Sequence, residues 1–299
     1  MTNIEILSPT TEQVVSLPTT PSRWMDHDDQ EVFFPVSSIP VIDATQEPTG
    51  YHRIHRQDTD KTLAVLKTKY TLTPYSTKID ILDDAIQDSS LDKEGMERRL
   101  VTTHEGRKLF CAYDFPTEYQ SIRGRNGSDD VDGANLSINM WDSYDGSTSL
   151  IVKAGCYRAK CSNGLLIGDT ISGVHKRHTG EFDPSEIIDG IMVAIETWHK
   201  HKTDLDRWAC TSLKESDANI ALRQFTDTQS LQDRLFALFR SEANYSSTAT
   251  VWNLVNALSY WATHTKSRTE GNAAHAQKER QLKVLAFQNT DAFQDLMYR

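Results

Sequence analysis

Cysteine is scarce in this chain. Four residues in 299 (Cys111, Cys156, Cys161 and Cys210) make no disulfide framework, so they read as reduced thiols. Long apolar runs are missing too: none approaches the roughly 20 residues that a bilayer-spanning helix needs. The first residues, MTNIEILSPTTEQ, lack the basic-then-apolar order of a secretory signal. Together these absences predict a cytoplasmic protein away from the membrane. Signatures of phosphate-binding and hydrolytic loops are absent as well. There is no G-x-x-x-x-G-K-[ST], no G-x-G-x-x-G after a strand, no H-E-x-x-H and no G-x-S-x-G. No cofactor is therefore expected. A general basic excess is lacking, since the formal charge is −10, which argues against a coat-like nucleic-acid binder.

That charge is unevenly placed. Residues 1–50 hold one Arg against eight acids, with prolines at 9, 18, 21, 35, 40 and 48, and read as an acidic Pro/Thr-rich arm. Residues 146–180 hold Lys153, Arg158, Lys160, Lys176 and Arg177 against Asp169 alone, a local +4. Attraction to phosphate acts within a Debye length of about 8 Å, so a local groove matters more than the total.

The most strand-like stretch runs from 134 to 180. Residues 136–141 and 149–154 have strand composition and flank Asp145-Gly146, a strong turn signal. A third run, 157–167, is broken at Ser162-Asn163-Gly164. A loop with His175-Lys176-Arg177-His178 follows. Upstream, Tyr51-His52-Arg53-Ile54-His55-Arg56 reads as a solvated segment or a strand edge, and 63–72 as a strand. Residues 76–88 read as a helix with Ser76 or Thr77 as N-cap. Strands 96–103 and 108–115 form a hairpin ended by Pro116, and 117–133, with Arg123 and Arg125, reads as a long loop. After Asp183-Pro184-Ser185-Glu186, a strong helix start, the chain reads as helices alone. The first ends at His199-Lys200-His201-Lys202 and the next spans 204–213. Others cover 216–225, 228–239, 250–265 and 277–288.

Strands first and helices later predict an α+β fold: an antiparallel β-meander with helices on one face, then a helical C-terminal part. The expected units are the arm, 1–50, a sheet core with one helix, 51–182, and a helical region packed on it, 183–299.

Four kinds of chemistry fit the residues. Cys156, Cys161, His175 and His178 have loose zinc-ligand spacing. However, Cys156 and Cys161 differ by an odd number and face opposite sides of an unbroken strand, so buried thiols are favoured. Cys161 before a Gly-rich turn offers a nucleophile without an acyl-transfer signature. Asp142 and Asp145 with Lys153 suggest a metal-dependent nuclease, although acids in turns usually cap the backbone in solvent. Single-stranded nucleic acid needs cations along a backbone and aromatics for stacking. Lys153, Arg158, Lys160, Lys176 and Arg177 provide the cations, with Arg123 and Arg125 from the preceding loop. Trp141, Tyr144 and Tyr157 lie among them, with core packing as the bland alternative for each ring.

The successive stretches YTLTPYSTKIDILDDAI, NMWDSYDGSTSLIVKAGCYRAKCSNGLLIG, KRHTG and VWNLVNALSYWATHTKSR resemble the phage/plasmid-like proteins of unknown function. The matching residues are Ser143, Asp145-Gly146-Ser147, Arg158, Cys161, Asn163-Gly164, Arg177-His178-Thr179-Gly180, Asn256-Ala257 and Ala262-Thr263-His264. The resemblance implies a protein made with mobile DNA in a bacterial cytoplasm. In element order the chain is also similar to phage single-strand annealing proteins, which carry a cationic groove and form rings or filaments. The expectation is a non-enzymatic, oligomeric single-stranded-DNA-binding protein of phage recombination or replication. Its partners would be single-stranded DNA, further copies of itself, and a host or phage replication protein. The groove would hold Lys153, Arg158, Lys160, Lys176, Arg177, Arg123, Arg125 and Tyr157. The alternatives are an acidic phage protein that modulates a host protein and a metal-dependent nucleic-acid enzyme.

Overall fold

The structure is a computed structural model that describes residues 29–122, 132–158, 164–168, 174–243, 249–266 and 273–298. The fold is α+β, with two antiparallel sheets followed by helices. After a short helix α1 (Asp29–Val32), strands β1 (Val36–Ile42), β2 (Pro48–Arg56) and β3 (Lys61–Lys67) form a three-stranded meander. Thus the His/Arg run of 51–56 is a central strand. Val32, Phe34, Ile54 and Leu63 are buried and join this meander to the main core.

Helix α2 (Tyr75–Asp88) leads to the larger sheet. It starts one residue before the expected cap: Pro74 occupies the N-cap, and Ser76 and Thr77 lie inside the first turn. The larger sheet runs β4 (Glu97–Thr103), β5 (Lys108–Ile122), β6 (Asp132–Ser143) and β7 (Leu150–Arg158). Two short strands, β8 (Gly164–Leu166) and β9 (Val174–Lys176), both pair with β7, β8 with its C-terminal half and β9 with its N-terminal half. Pro116 does not end β5. The strand continues to Ile122, and the register with β6 slips between Phe115 and Tyr119. A residue without an N–H is tolerated at such an irregularity because no ladder bond is demanded of it. The Asp-Gly turn forms as expected: Asp145 Oδ1 accepts from Ser147 N at 2.9 Å, and Gly146 has φ +68°.

Period-2 alternation sorts the sheet's faces. Leu136, Ile138 and Met140 on β6, with Leu150, Val152, Ala154 and Cys156 on β7, enter the main core. Helix α3 (Ser185–Cys210) covers that side and supplies Ile187, Ile191, Ala194, Trp198 and Leu205 to the core. It is one helix where the sequence suggested two. His199-Lys200-His201-Lys202 lies mid-helix, with His201 buried inward and Lys200 paired outward to Glu196 at 2.6 Å. No Gly or Pro lies between Ile191 and Cys210, so the cations mark an amphipathic face and not an end. Helices α4 (Glu215–Phe225), α5 (Gln229–Ala243) and α6 (Val251–His264) follow. Helix α7 (Ala273–Gln288) lies over the opposite sheet face, where Ala274 and Leu285 meet Phe110, Trp141, Ile151 and Leu166. A short α8 (Asp291–Gln294) buries Phe293 near the end. Among the described residues, no helix is long and apolar enough to cross a membrane.

Candidate anion-binding cavity

Two chain segments more than a hundred residues apart meet beside the end of β6. Tyr70, just beyond β3, forms an antiparallel bridge with Thr179, just beyond β9. Thr71 N donates to His178 O at 3.0 Å, and Thr71 Oγ1 donates to Gly180 O at 2.6 Å. Gly180 has φ +84°, a conformation that side chains resist, so glycine suits the place where the chain turns away. Tyr70 Oη donates to Ser143 O at 3.0 Å and ties this seam to the sheet.

The seam walls an open cavity of about 450 Å³. Lys67, Lys69, Arg177, His178, Tyr70 and Ser149 line it, and none of its lining residues is acidic. Lys67, Lys69 and Arg177 are exposed and form no ion pair among the described residues. Three cations around a recess with no acidic lining residue raise the local potential within an acidic chain.

Beneath the cavity lies a buried ion network. Asp142 on β6 is fully buried and its Oδ2 is paired with Lys78 Nζ from α2, itself only 2% exposed. His178 Nε2 lies 2.9 Å from Thr148 O and 3.1 Å from Asp142 Oδ1. A carbonyl only accepts, so Nε2 carries a hydrogen and the neutral ring keeps its lone pair on Nδ1. Burial pushes the Asp142 carboxyl up, but the Lys78 ammonium and His178 outweigh it and hold Asp142 below its ordinary value. Burial, reinforced by Asp142, pushes the Tyr70 phenol well above its usual value. The Tyr70 and His178 rings lie 5.1 Å apart. Asp142 is thus no solvated turn cap. It anchors the cavity floor and, with Thr148 O, fixes the tautomer of a largely buried histidine that lines the cavity.

The expected groove residues divide between different places. Arg177 stands exposed at the cavity. Lys176 is paired with Glu186 of α3 at 2.6 Å. Lys153 and Tyr157 project from the other sheet face, beneath α7, because they share the parity of Ile151. Lys153 is buried there, and Tyr157 Oη meets Arg99 Nη2. Arg158 ends β7 opposite Ala134. Lys160, Arg123 and Arg125 lie outside the described residues. Lys153, buried beneath α7, and Arg177, exposed just past the end of β9, therefore do not unite the meander cations with the exit loop in a single channel.

The face beneath α7 has its own polar layer. Arg99 Nε donates to Asp114 Oδ2 at 2.9 Å, and Asn139 lies over Gly155, where a Cβ would come within 2.6 Å of its Nδ2. Burial raises the Asp114 carboxyl, against the opposing pull of the Arg99 guanidinium. The nuclease arrangement fails here on geometry, since Asp142 faces the main core and Lys153 the α7 side. The describable members of the zinc quartet, Cys156 and His178, do not share a site either. Cys156 is in the main core with its thiol pushed up to about 12 by burial, His178 is on Asp142, and Cys161 lies outside the described residues. Among the described residues, no three His, Cys, Asp or Glu side chains gather as a metal-binding group.

Sequence reading missed Lys67, Lys69 and Lys78. The first two sit in K-T-K-Y at a strand's end, a weak sign of cations presented beside an aromatic. Nothing local marks Lys78 as the partner of a carboxylate 64 positions away.

A family model described as "Domain of unknown function (DUF932)" matches residues 62–285, a span that holds every residue lining the cavity. No curated protein and no solved structure matches the chain.

Proposed function

We propose, for a chain that belongs to the DUF932 family, that it binds single-stranded DNA through the cationic cavity and performs no catalysis. The observation that carries this reading is the convergence of Lys67, Lys69 and Arg177 on one recess without a lining acid. Phosphate neutralised by such side chains releases counterions, which makes affinity depend steeply on salt. Tyr70 at the same recess supplies an aromatic surface next to the cations. The biological setting in this proposal is phage recombination or replication in a bacterial cytoplasm, with the protein acting as a ring or filament. In favour of assembly, β1 and β3 are the edge strands of the small meander and have no further strand partner among the described residues.

The test is fluorescence anisotropy with a labelled oligothymidylate across a salt series. Replacing Lys67, Lys69 and Arg177 together with Ala should weaken binding and reduce the log–log salt slope by about two, at about 0.7 per cation. An unchanged affinity and slope would remove the proposal. A second reading, docking onto a host protein, is favoured by the exposed apolar side chains Tyr51, Val65 (54% exposed) and Ile42 on the meander. A partner retained from host lysate after nuclease treatment, and lost in Val65→Lys, would favour it.

A further inference from the structure

We infer that the cavity takes the terminal phosphate monoester of a strand and not an internal phosphodiester; the inference rests on the DNA-binding reading above. Three observations converge on it. The first is shape. A recess of about 450 Å³ falls in the range of about 300–1,000 Å³ typical of small-ligand pockets, and it can house one end group. No described run of cations leads through it. Lys176 is neutralised by Glu186, and Lys153 lies under α7. A strand passing across would gain little beyond the recess, whereas a strand ending in it uses the whole of it.

The second is charge. A terminal phosphate carries about −1.5 to −2 at neutral pH, and an internal diester carries one negative charge. Lys67, Lys69 and Arg177 form a +3 rim with no acidic lining residue. That exceeds what one diester can neutralise and suits a monoester.

The third is the histidine. The bond from Nε2–H to Thr148 O leaves His178 Nδ1 as the ring nitrogen that can serve a ligand, with the Asp142 carboxylate behind it. A monoester in its singly protonated form has an O–H that can donate a hydrogen bond to Nδ1. The charged and titratable groups around His178 are Asp142 from β6, Tyr70 from the seam and Arg177 beside it, with Lys78 of α2 on the far side of Asp142 and Lys176 and Glu181 bordering a small adjoining pocket. A diester has no proton to give and no second charge to hold.

Anisotropy competition with oligothymidylates that differ only at their ends tests this, using a 5′-phosphate, a 3′-phosphate or hydroxyls at both ends. The expected result is about tenfold tighter binding of one phosphorylated oligomer than of the all-hydroxyl one, the size of a charge-assisted hydrogen bond. The 5′ and 3′ arms identify which end is taken, and inorganic phosphate should displace it. In Lys69→Ala/Arg177→Ala, two exposed positions that the fold does not need, the preference should fall below about threefold. Equal binding of all three oligomers by the wild type overturns the end-specific inference and leaves the DNA reading standing. A preference retained in the double variant also overturns it, because the site would be elsewhere. Binding of none of the oligomers overturns the reading beneath it.

Discussion

Replacing Lys78 with Met removes one charge from the cavity floor and keeps most of the stem's volume. In the native protein the ammonium faces Asp142 with both groups out of water, 2% and 0% exposed. Breaking a buried pair by deleting one partner costs about 3–5 kcal/mol, because the remaining charge stays desolvated. His178 still lies 3.1 Å from the other carboxylate oxygen and softens the loss, so about 3 kcal/mol is expected. That is a large share of a typical stability of about 5–15 kcal/mol and should be clear in urea unfolding at pH 7. The double variant Lys78→Met/Asp142→Asn should recover part of the loss, since no orphaned charge is left. The two single effects should therefore not add. The pH sign follows from Asp142, whose carboxyl is held below its ordinary value in the folded state. Its contribution is complete above the unfolded carboxyl range, near about 3.9, and disappears as pH falls through the lower folded value. Wild type should lose stability more steeply than the double variant below about pH 4. A Lys78→Met loss under about 1 kcal/mol, or additive single effects, would refute the reading of this pair as a coupled buried unit.

Gly155→Ala should lower the melting temperature by several degrees, because the new Cβ would meet Asn139 Nδ2 at 2.6 Å and the Leu165 carbonyl oxygen at 3.1 Å. A melting curve matching wild type would show that Asn139 moves aside without cost. In a Cys161→Ser background, maleimide should label exposed Cys210 quickly and buried Cys111 and Cys156 only on unfolding. The Cys156 thiol, pushed up to about 12, stays protonated at neutral pH; rapid modification of it in native buffer would contradict its place in the core. Tyr75→Phe removes the hydroxyl that donates to Arg107 O at 2.9 Å and accepts from Tyr144 N at 3.1 Å, inside a stacked ring pair. A loss of about 1–3 kcal/mol in denaturant unfolding is expected, and a neutral effect would argue against those bonds.

Much of the fold was legible where local rules and tertiary context agree. Asp145-Gly146 marks a turn, Asp183 precedes a helix and accepts from Ser185 N at 2.9 Å, and residues 250–265 carry a helical face that becomes α6. Local rules failed where tertiary packing decides. His199 to Lys202 looked like a helix end, yet the buried positions Trp198, His201 and Leu205 keep their spacing through it. Pro116 looked like a stop, but a register slip absorbs it. The site was less legible still. Composition located a basic stretch, but alternation on β7 buries Lys153 while Arg177, past β9, stays exposed. The lysines that complete the cavity come from the end of β3 and the residues just after it, and no pattern within residues 134–180 points there.

The seam between Tyr70 and Thr179 closes a loop of more than a hundred residues with a few hydrogen bonds. Loop-closure entropy rises only slowly with length, but all of it is lost before the short seam returns anything. The recess is therefore a late product of folding, complete only once β4 to β9 have assembled. Fragments that stop before residue 177 will contain Lys67, Lys69 and Tyr70 but not Arg177, His178 and Thr179 opposite them. A phosphate bound across the seam would act as a clasp on the ring of chain it closes, and native-state hydrogen exchange across β6 and β7 would slow in its presence.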